Sequence, residues 1–250
     1  MDPVAFSIGP ISVYWYGIFI SLGILIGLYL AVRESKKQGL DPDHLINFLL
    51  FALPAALIGL RLYYVAFRWD YFSQNLDLIF AFRQGGLAIH GGIFAAIIVG
   101  VIYSKYQGIN FWALADITAP SLILGQAIGR WGNYINQEAY GYPTDLPWAI
   151  EINGSFHHPT FFYESFWNLL VFAFLMYFRG YKKEGQGEIF SLYLVLYSIG
   201  RFWIEGLRLD SLMLSELRVA QIVSVILVVI GLYYFTKHRK EKNKTVDIKR

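Results

Sequence analysis

The sequence contains no cysteine, and only 16% of its 250 residues are charged, against roughly 25% in an ordinary soluble protein. The first absence excludes a disulfide framework, a thiolate metal site and any mechanism that loads a lipid onto a cysteine of this chain. A thiol that takes part must therefore come from a substrate. The second absence excludes a disordered chain and the basic surface that nucleic-acid binding needs. No Gly-x-Ser-x-Gly nucleophile elbow occurs, and Ser165, Ser191 and Ser198 sit in ordinary helical contexts, which disfavours a serine hydrolase. Internal repeats are also lacking, which weakens the inverted-repeat signal of many secondary transporters. What is abundant is apolar: 56% of residues are hydrophobic and 18% aromatic, with a mean hydropathy of +0.44. That is more than one soluble core of this length could hide, so lipid is the expected solvent.

Seven windows of mostly apolar residues lie near 14–32, 45–67, 86–103, 111–130, 161–178, 189–206 and 219–236, each close to the ~20 residues that cross a bilayer. Residues 1–13 carry no basic run and no small-residue cleavage site follows, so the first window reads as a retained helix, not a signal peptide. Lys and Arg set the orientation, because cations are retained on the cytoplasmic side. Arg33, Lys36, Lys37, Lys105, Arg179, Lys182, Lys183 and seven cations in 237–250 fall on one face; Arg68, Arg83, Arg208 and Arg218 fall on the other. The expectation is an all-α polytopic membrane protein of seven transmembrane helices, N-terminus outside and C-terminus cytoplasmic. A single integral domain over 1–250 carries a small extracytoplasmic head at 131–160, between spans 4 and 5, and a basic cytoplasmic tail at 237–250 that topology and anionic lipid explain.

Ionisable residues inside a membrane are costly unless they face partners or a ligand. Arg61, near the end of the second span, and His90, just inside the third, lie roughly 9 Å below the outer boundary at 1.5 Å per residue. Arg130 closes the fourth span, Glu164 opens the fifth, and Arg201, Glu205 and Arg208 follow i, i+4, i+7 spacing on one face of the sixth. Counting Arg61, Arg130, Arg201 and Arg208 against Glu164 and Glu205 leaves positive charge to be balanced, and an anionic lipid headgroup at outer-leaflet depth is the natural ligand. The rival is that these are buried pairs holding a bundle together.

Three stretches add chemistry. In Gly85-Gly-Leu-Ala-Ile-His90-Gly-Gly92 the flanking glycines admit a ligand or a second backbone close to the histidine. In Gly129-Arg130-Trp-Gly-Asn133-Tyr-Ile-Asn136-Gln-Glu138-Ala-Tyr-Gly141, a guanidinium, two amides and a carboxylate gather where a helix leaves the membrane. Such a set can grip a phosphate diester and stabilise charge on a phosphate leaving group. In His158-Pro-Thr160-Phe-Phe-Tyr163-Glu164, Thr160 is placed to cap the following helix while Tyr163 and Glu164 face the site. His157 and His158 have no further ligands at metal-motif spacing, so no metal is expected.

These stretches resemble the prolipoprotein diacylglyceryl transferases of bacterial plasma membranes. The second is similar throughout to that family's G-R-x-G-N-(F/Y)-x-N-x-E-x-x-G motif. His90-Gly-Gly, His158-Pro-Thr-x-x-Tyr-Glu164, Arg201-Phe-Trp-Ile-Glu205-x-x-Arg208, Trp15-Tyr16-Gly17 and Gly59-x-Arg61 match its other landmarks in order, over essentially the whole chain. Phe162 stands where leucine is common. The resemblance implies an enzyme of the bacterial plasma (inner) membrane, its site toward the outer leaflet, that needs no cofactor. It would move diacylglycerol from phosphatidylglycerol to the lipobox cysteine of a prolipoprotein and release glycerol phosphate. Arg130, Asn133, Asn136, Arg201, Arg61 and Tyr16 would then hold the headgroup, with His90 or Glu138 as the base beside Arg130 and Arg201. Glu205, Arg208, Tyr163, Glu164 and His158 would support them. Two other classes are weighed against this: a transporter, which the absence of polar residues through the inner halves of the spans argues against, and a lipid-binding scaffold without turnover.

Overall fold

A computed structural model describes residues 1–82, 85–180 and 187–248. Arg83, Lys182, Lys183, Lys249 and Arg250, counted above for orientation, lie outside the described residues. The elements run β1 (Val4–Ile8), β2 (Ile11–Tyr14), α1 (Trp15–Lys37), α2 (Pro42–Phe67), α3 (Trp69–Phe72), a 3₁₀ turn (Leu76–Leu78), α4 (Ile89–Gln107) and α5 (Phe111–Ile135). They continue with β3 (Ile150–Ile152), β4 (Ser155–His157), α6 (Thr160–Gly180), α7 (Glu188–Glu205), β5 (Met213–Leu214), β6 (Leu217–Arg218) and α8 (Val219–Ile248). Each apolar window becomes a helix. Local chemistry sets several of their ends: Asp41 accepts from the Asp43 amide at 3.0 Å with Pro42 at the first position of α2, and Gly108 ends α4 in the left-handed region.

Six of these helices are long and apolar enough to cross a membrane: α1, α2, α4, α5, α6 and the Val219–Lys240 part of α8. The expected sixth span is the helix α7, but it is outside that set. It has 18 residues, and Glu188, Arg201 and Glu205 lie within them, a charge load that a lipid-facing helix could not carry. All three are tied down inside the protein instead, the two glutamates being buried. The all-α expectation also needs amending, because three antiparallel two-stranded ribbons interrupt the helices. Their turns are legible after the fact: Gly9-Pro10, Asn153-Gly154 with φ of 51° and 80°, and Ser215-Glu216 with Ser215 at φ 55°.

The chain divides into two compact units, Met1–Glu34 with Ala115–Arg250, and Ser35–Leu114. In the first, α7 packs against both α6 and α8, around a core of Ala119, Ile123, Val171, Leu175, Ile189 and Tyr193. Pro120 in α5 has no N–H to offer the carbonyl four residues back, and that carbonyl, of Asp116, accepts instead from Arg179 at 3.4 Å. The Asp116 carboxylate receives the amides of Gly187 and Phe190, both at 2.8 Å, and so caps α7 from a neighbouring helix. Arg179 also meets Glu34 at 3.3 Å. In the second unit α2 packs against α4, with α3 and the 3₁₀ turn in the connection between them.

Candidate functional site

Where α6 begins, one carboxylate gathers three arginines. Glu164, in the first turns of α6 and only 4% exposed, meets Arg130 of α5 at 2.5 Å through Oε2, and through Oε1 it accepts from Arg201 at 2.7 Å and Arg208 at 3.2 Å. Arg201 turns its second terminal nitrogen to Glu205 at 2.6 Å, the i, i+4 pair expected from spacing. Arg208 holds Asp210 with a two-bond fork, Nε at 3.0 Å and Nη2 at 2.7 Å. Burial alone would lower the pKa of Arg208, but the Asp210 fork and the charges of Glu164 and Glu205 outweigh it and hold it above its ordinary value. For Asp210, burial pushes the carboxyl up and the same fork more than reverses this, leaving it below the ordinary range.

These pairs correct the charge count. Arg61 belongs to the other unit, and Asp210 joins the cluster, so Arg130, Arg201 and Arg208 stand against Glu164, Glu205 and Asp210 and the group is balanced. Arg201 and Arg208 are thus held in ion pairs within the bundle. Arg130 differs: among the described residues its only polar partner is Glu164, through Nη2, and its side chain remains 21% exposed. Its Nε and Nη1 have no hydrogen-bond partner among the described residues.

The polar stretch after Arg130 folds back at once. Glu138 accepts from the amides of Asn133 at 2.9 Å and Asn136 at 3.2 Å, and its own amide bonds the Asn133 carbonyl at 3.0 Å. Gln137 and Ala139 adopt φ of 52° and 58° to make this reversal, a conformation disfavoured without glycine that the surrounding bonds enforce. Tyr16 of α1 packs against Gly132, where an added Cβ would sit 2.5 Å from its ring.

The last glycine of the stretch ties all three motifs of this unit together. Gly141 donates to the His158 carbonyl at 3.0 Å, Tyr142 donates to the Leu207 carbonyl at 2.9 Å, and Gly141 pairs with Arg208 across an isolated bridge. A Cβ at Gly141 would lie 2.7 Å from both the Leu207 oxygen and the His158 Cβ. Thr160 does not cap α6 as expected; it is the helix's first residue, and its hydroxyl donates to the Ala139 carbonyl, pinning the loop instead. His158 and Tyr163 meet at 3.3 Å, and Tyr163 also accepts from the Trp148 indole at 2.8 Å. Arg218, read from sequence only as a topology marker, donates to the Glu205 carbonyl at 2.6 Å and the Tyr142 hydroxyl at 3.0 Å. Sequence reading missed it, and missed Asp210, although an acid two residues from Arg208 was the available signal.

Arg61 and His90 are described within their own unit. The Arg61 guanidinium is spent on backbone carbonyls: Nε on Ile79 at 2.8 Å, Nη1 on Gly85 at 2.7 Å and Gly86 at 3.0 Å, and Nη2 on Leu78 at 2.6 Å. Four of its five N–H groups are thus held by backbone carbonyls. His90 is exposed, its ring 5.9 Å from that of Tyr63. No group of three or more potential metal ligands occurs among the described residues.

A family model described as prolipoprotein diacylglyceryl transferase matches residues 3–237. The phosphatidylglycerol–prolipoprotein diacylglyceryl transferase of Bacillus cereus strain B4264 is 48% identical over 252 aligned positions that cover 96% of this chain and 93% of that protein. Its counterpart from Bacillus anthracis strain A0248 is 47% identical with the same coverage.

Proposed function

The chain belongs to the prolipoprotein diacylglyceryl transferase family, and we propose on that footing that it carries the diacylglyceryl group of phosphatidylglycerol to the lipobox cysteine thiol of a prolipoprotein. It is a multi-pass membrane transferase of lipoprotein biosynthesis. The substrate sulfur attacks the glyceryl carbon next to the phosphate, the C–S bond forms as the C–O bond breaks, and the electron pair leaves on the phosphate oxygen of glycerol phosphate. The thiol proton passes to a base.

The observation that carries this reading is the half-committed guanidinium of Arg130. Glu164 fixes Nη2, and the N–H groups on Nε and Nη1 are left to donate to a phosphate whose charge grows as it leaves. Arg201, paired with Glu164 and Glu205, and Arg208, paired with Glu164, Glu205 and Asp210, keep Glu164 in place and supply field. Glu138 orients the amides of Asn133 and Asn136 toward the same ligand, with Tyr16 alongside. A free thiol has a pKa near 8.5, so its proton needs an acceptor, and His90, exposed and flanked by glycine, and Glu138 are the two groups proposed for that role.

The proposal places the protein in a bacterial plasma membrane with seven spans, counting α7, the N-terminus outside and the C-terminus in the cytoplasm. The head at 131–160 then faces outward beside the site, and the tail at 237–250 faces in. The Lys and Arg distribution supports this orientation. The test is turnover of purified protein in phosphatidylglycerol nanodiscs with a lipobox-cysteine peptide. Lipidated peptide and glycerol phosphate in equal amounts are expected. Lipid bound with neither product formed would make the protein a scaffold.

A further inference from the structure

Five neighbouring residues at the end of α2 make a continuous set of contacts with the segment leading into α4. At Gly59 an added Cβ would lie 2.5 Å from the Gly91 carbonyl, so its absence lets α4 in. The Leu60 carbonyl accepts the Ala88 amide at 3.0 Å, the last bond before α4 starts at Ile89. Arg61 takes the carbonyls of Leu78, Ile79, Gly85 and Gly86. Tyr63 faces the ring of His90, and Tyr64 lies under Gly86.

Arg61 is the centre of this set. It is 4% exposed, and its guanidinium lies 5.2 Å from the Phe72 ring centroid and 6.0 Å from that of Tyr64. None of the ion pairs formed among the described residues involves it. A buried cation with no carboxylate is stable only if dipoles replace the lost water, and four carbonyls do so here. The bonds use four of the five N–H groups a guanidinium carries, leaving too few for a two-bond grip on phosphate. Two of the carbonyls can turn inward because Gly85 and Gly86 have φ of 82° and 70°, which residues with a Cβ rarely adopt.

We infer that Arg61 is a positioning residue: its guanidinium is the template that holds the backbone at Leu78, Ile79, Gly85 and Gly86, and through them it sets where α4 begins and where His90 stands. It is not a ligand of the lipid phosphate. The inference rests on the proposed transferase reading only for the kinetic consequence of moving His90; the hold of Arg61 on those four carbonyls stands apart from it.

The test is Arg61→Lys in nanodiscs, read three ways. Amide exchange over 76–92 reports the loop, ¹³C NMR of the histidine ring assigned to His90 reports its surroundings, and steady-state kinetics separate kcat from KM for phosphatidylglycerol. A lysine ammonium has three donors at one point and cannot span carbonyls on two sides. Exchange is expected to rise at least about tenfold, the His90 resonance to shift, and kcat to fall about a hundredfold, the cost of roughly 1 Å of misplacement, with KM within about twofold. If KM instead rises about tenfold while exchange and the His90 signal stay fixed, Arg61 binds the headgroup and the inference is overturned. Thermal destabilisation with kcat and the His90 signal unchanged overturns it too, in favour of a purely structural residue. Should Arg61→Lys fail to fold, Gly86→Ala perturbs the same contact from the loop side, since its Cβ would meet Arg61 Nη1 at 2.7 Å. It should give the same signature, whereas a headgroup ligand would leave kcat untouched. If the parent protein makes no product at all, exchange and NMR still decide the positioning role separately from the transferase reading.

Discussion

Replacing Glu164 by glutamine probes the cluster at its centre, because the side chain keeps its shape and loses only its charge. The carboxylate meets three guanidinium groups at 2.5, 2.7 and 3.2 Å and is 4% exposed. Each pair is worth about 4 kcal/mol at roughly 4 Å between charge centres and an effective dielectric of 20. The loss is offset in large part because the variant no longer buries a charged carboxylate, so the net destabilisation should be about 3–5 kcal/mol, as for other buried pairs broken on one side. The kinetic effect is separable. The cluster changes from balanced to one positive charge in excess, so phosphatidylglycerol should bind no worse. Arg130, however, loses the anchor that aims its guanidinium, and kcat should fall about a hundredfold, or roughly 2.7 kcal/mol of transition-state stabilisation. The assay is thermal unfolding in detergent beside steady-state turnover with varied lipid. A variant whose KM rises while kcat holds would refute the reasoning, since Glu164 would then be contacting substrate and not aligning arginines.

Arg130→Lys should lose at least about a hundredfold in kcat with little loss of folding stability, because a point charge cannot replace a planar fork; near-parent turnover of peptide would remove the two-bond role. Gly141→Ala should destabilise the protein by about 1–3 kcal/mol, since the added methyl meets the Leu207 carbonyl and His158 with no room to relax, and an unchanged melting temperature would contradict that packing. Asp210 titrates below its ordinary value, so its contribution is present above the unfolded pKa of about 3.9 and is lost as pH falls through the lower folded value. Proteolysis of the 206–218 turn should therefore increase below about pH 4 in the parent, and Asp210→Asn should be cleaved readily at every pH. His90→Gln should remove most turnover while lipid still binds; turnover close to the parent's would leave Glu138 as the base.

The helices were legible in the sequence because hydropathy over about 20 residues reports the one constraint a bilayer imposes. Even α7, with three charges, could be placed, since Arg201, Glu205 and Arg208 repeat at helical spacing. The ribbons were not legible: strands of two to five residues carry too little periodicity, and Asn153-Gly154 gave only a turn. At the site, Arg130, Glu164 and Arg201 could be brought together because each sits at the same end of a different span. Arg61 shows the limit of that reasoning. Depth along a helix says that a cation needs partners, but not whether they are a lipid phosphate or the carbonyls of Leu78, Ile79, Gly85 and Gly86, which no hydropathy pattern announces. Asp210 and Arg218 escaped for a related reason, one in a bend and the other ending the short strand β6, with partners fixed only by the tertiary fold.

The central claim is that the N–H groups Arg130 does not spend on Glu164 hold the phosphate that leaves. The most direct measurement is single-turnover formation of lipidated peptide by Arg130→Ala in phosphatidylglycerol nanodiscs, with and without added guanidinium ion. The account predicts a loss of at least about a thousandfold, near 4 kcal/mol, partly restored by guanidinium. It is contradicted if Arg130→Ala forms product within about tenfold of the parent rate.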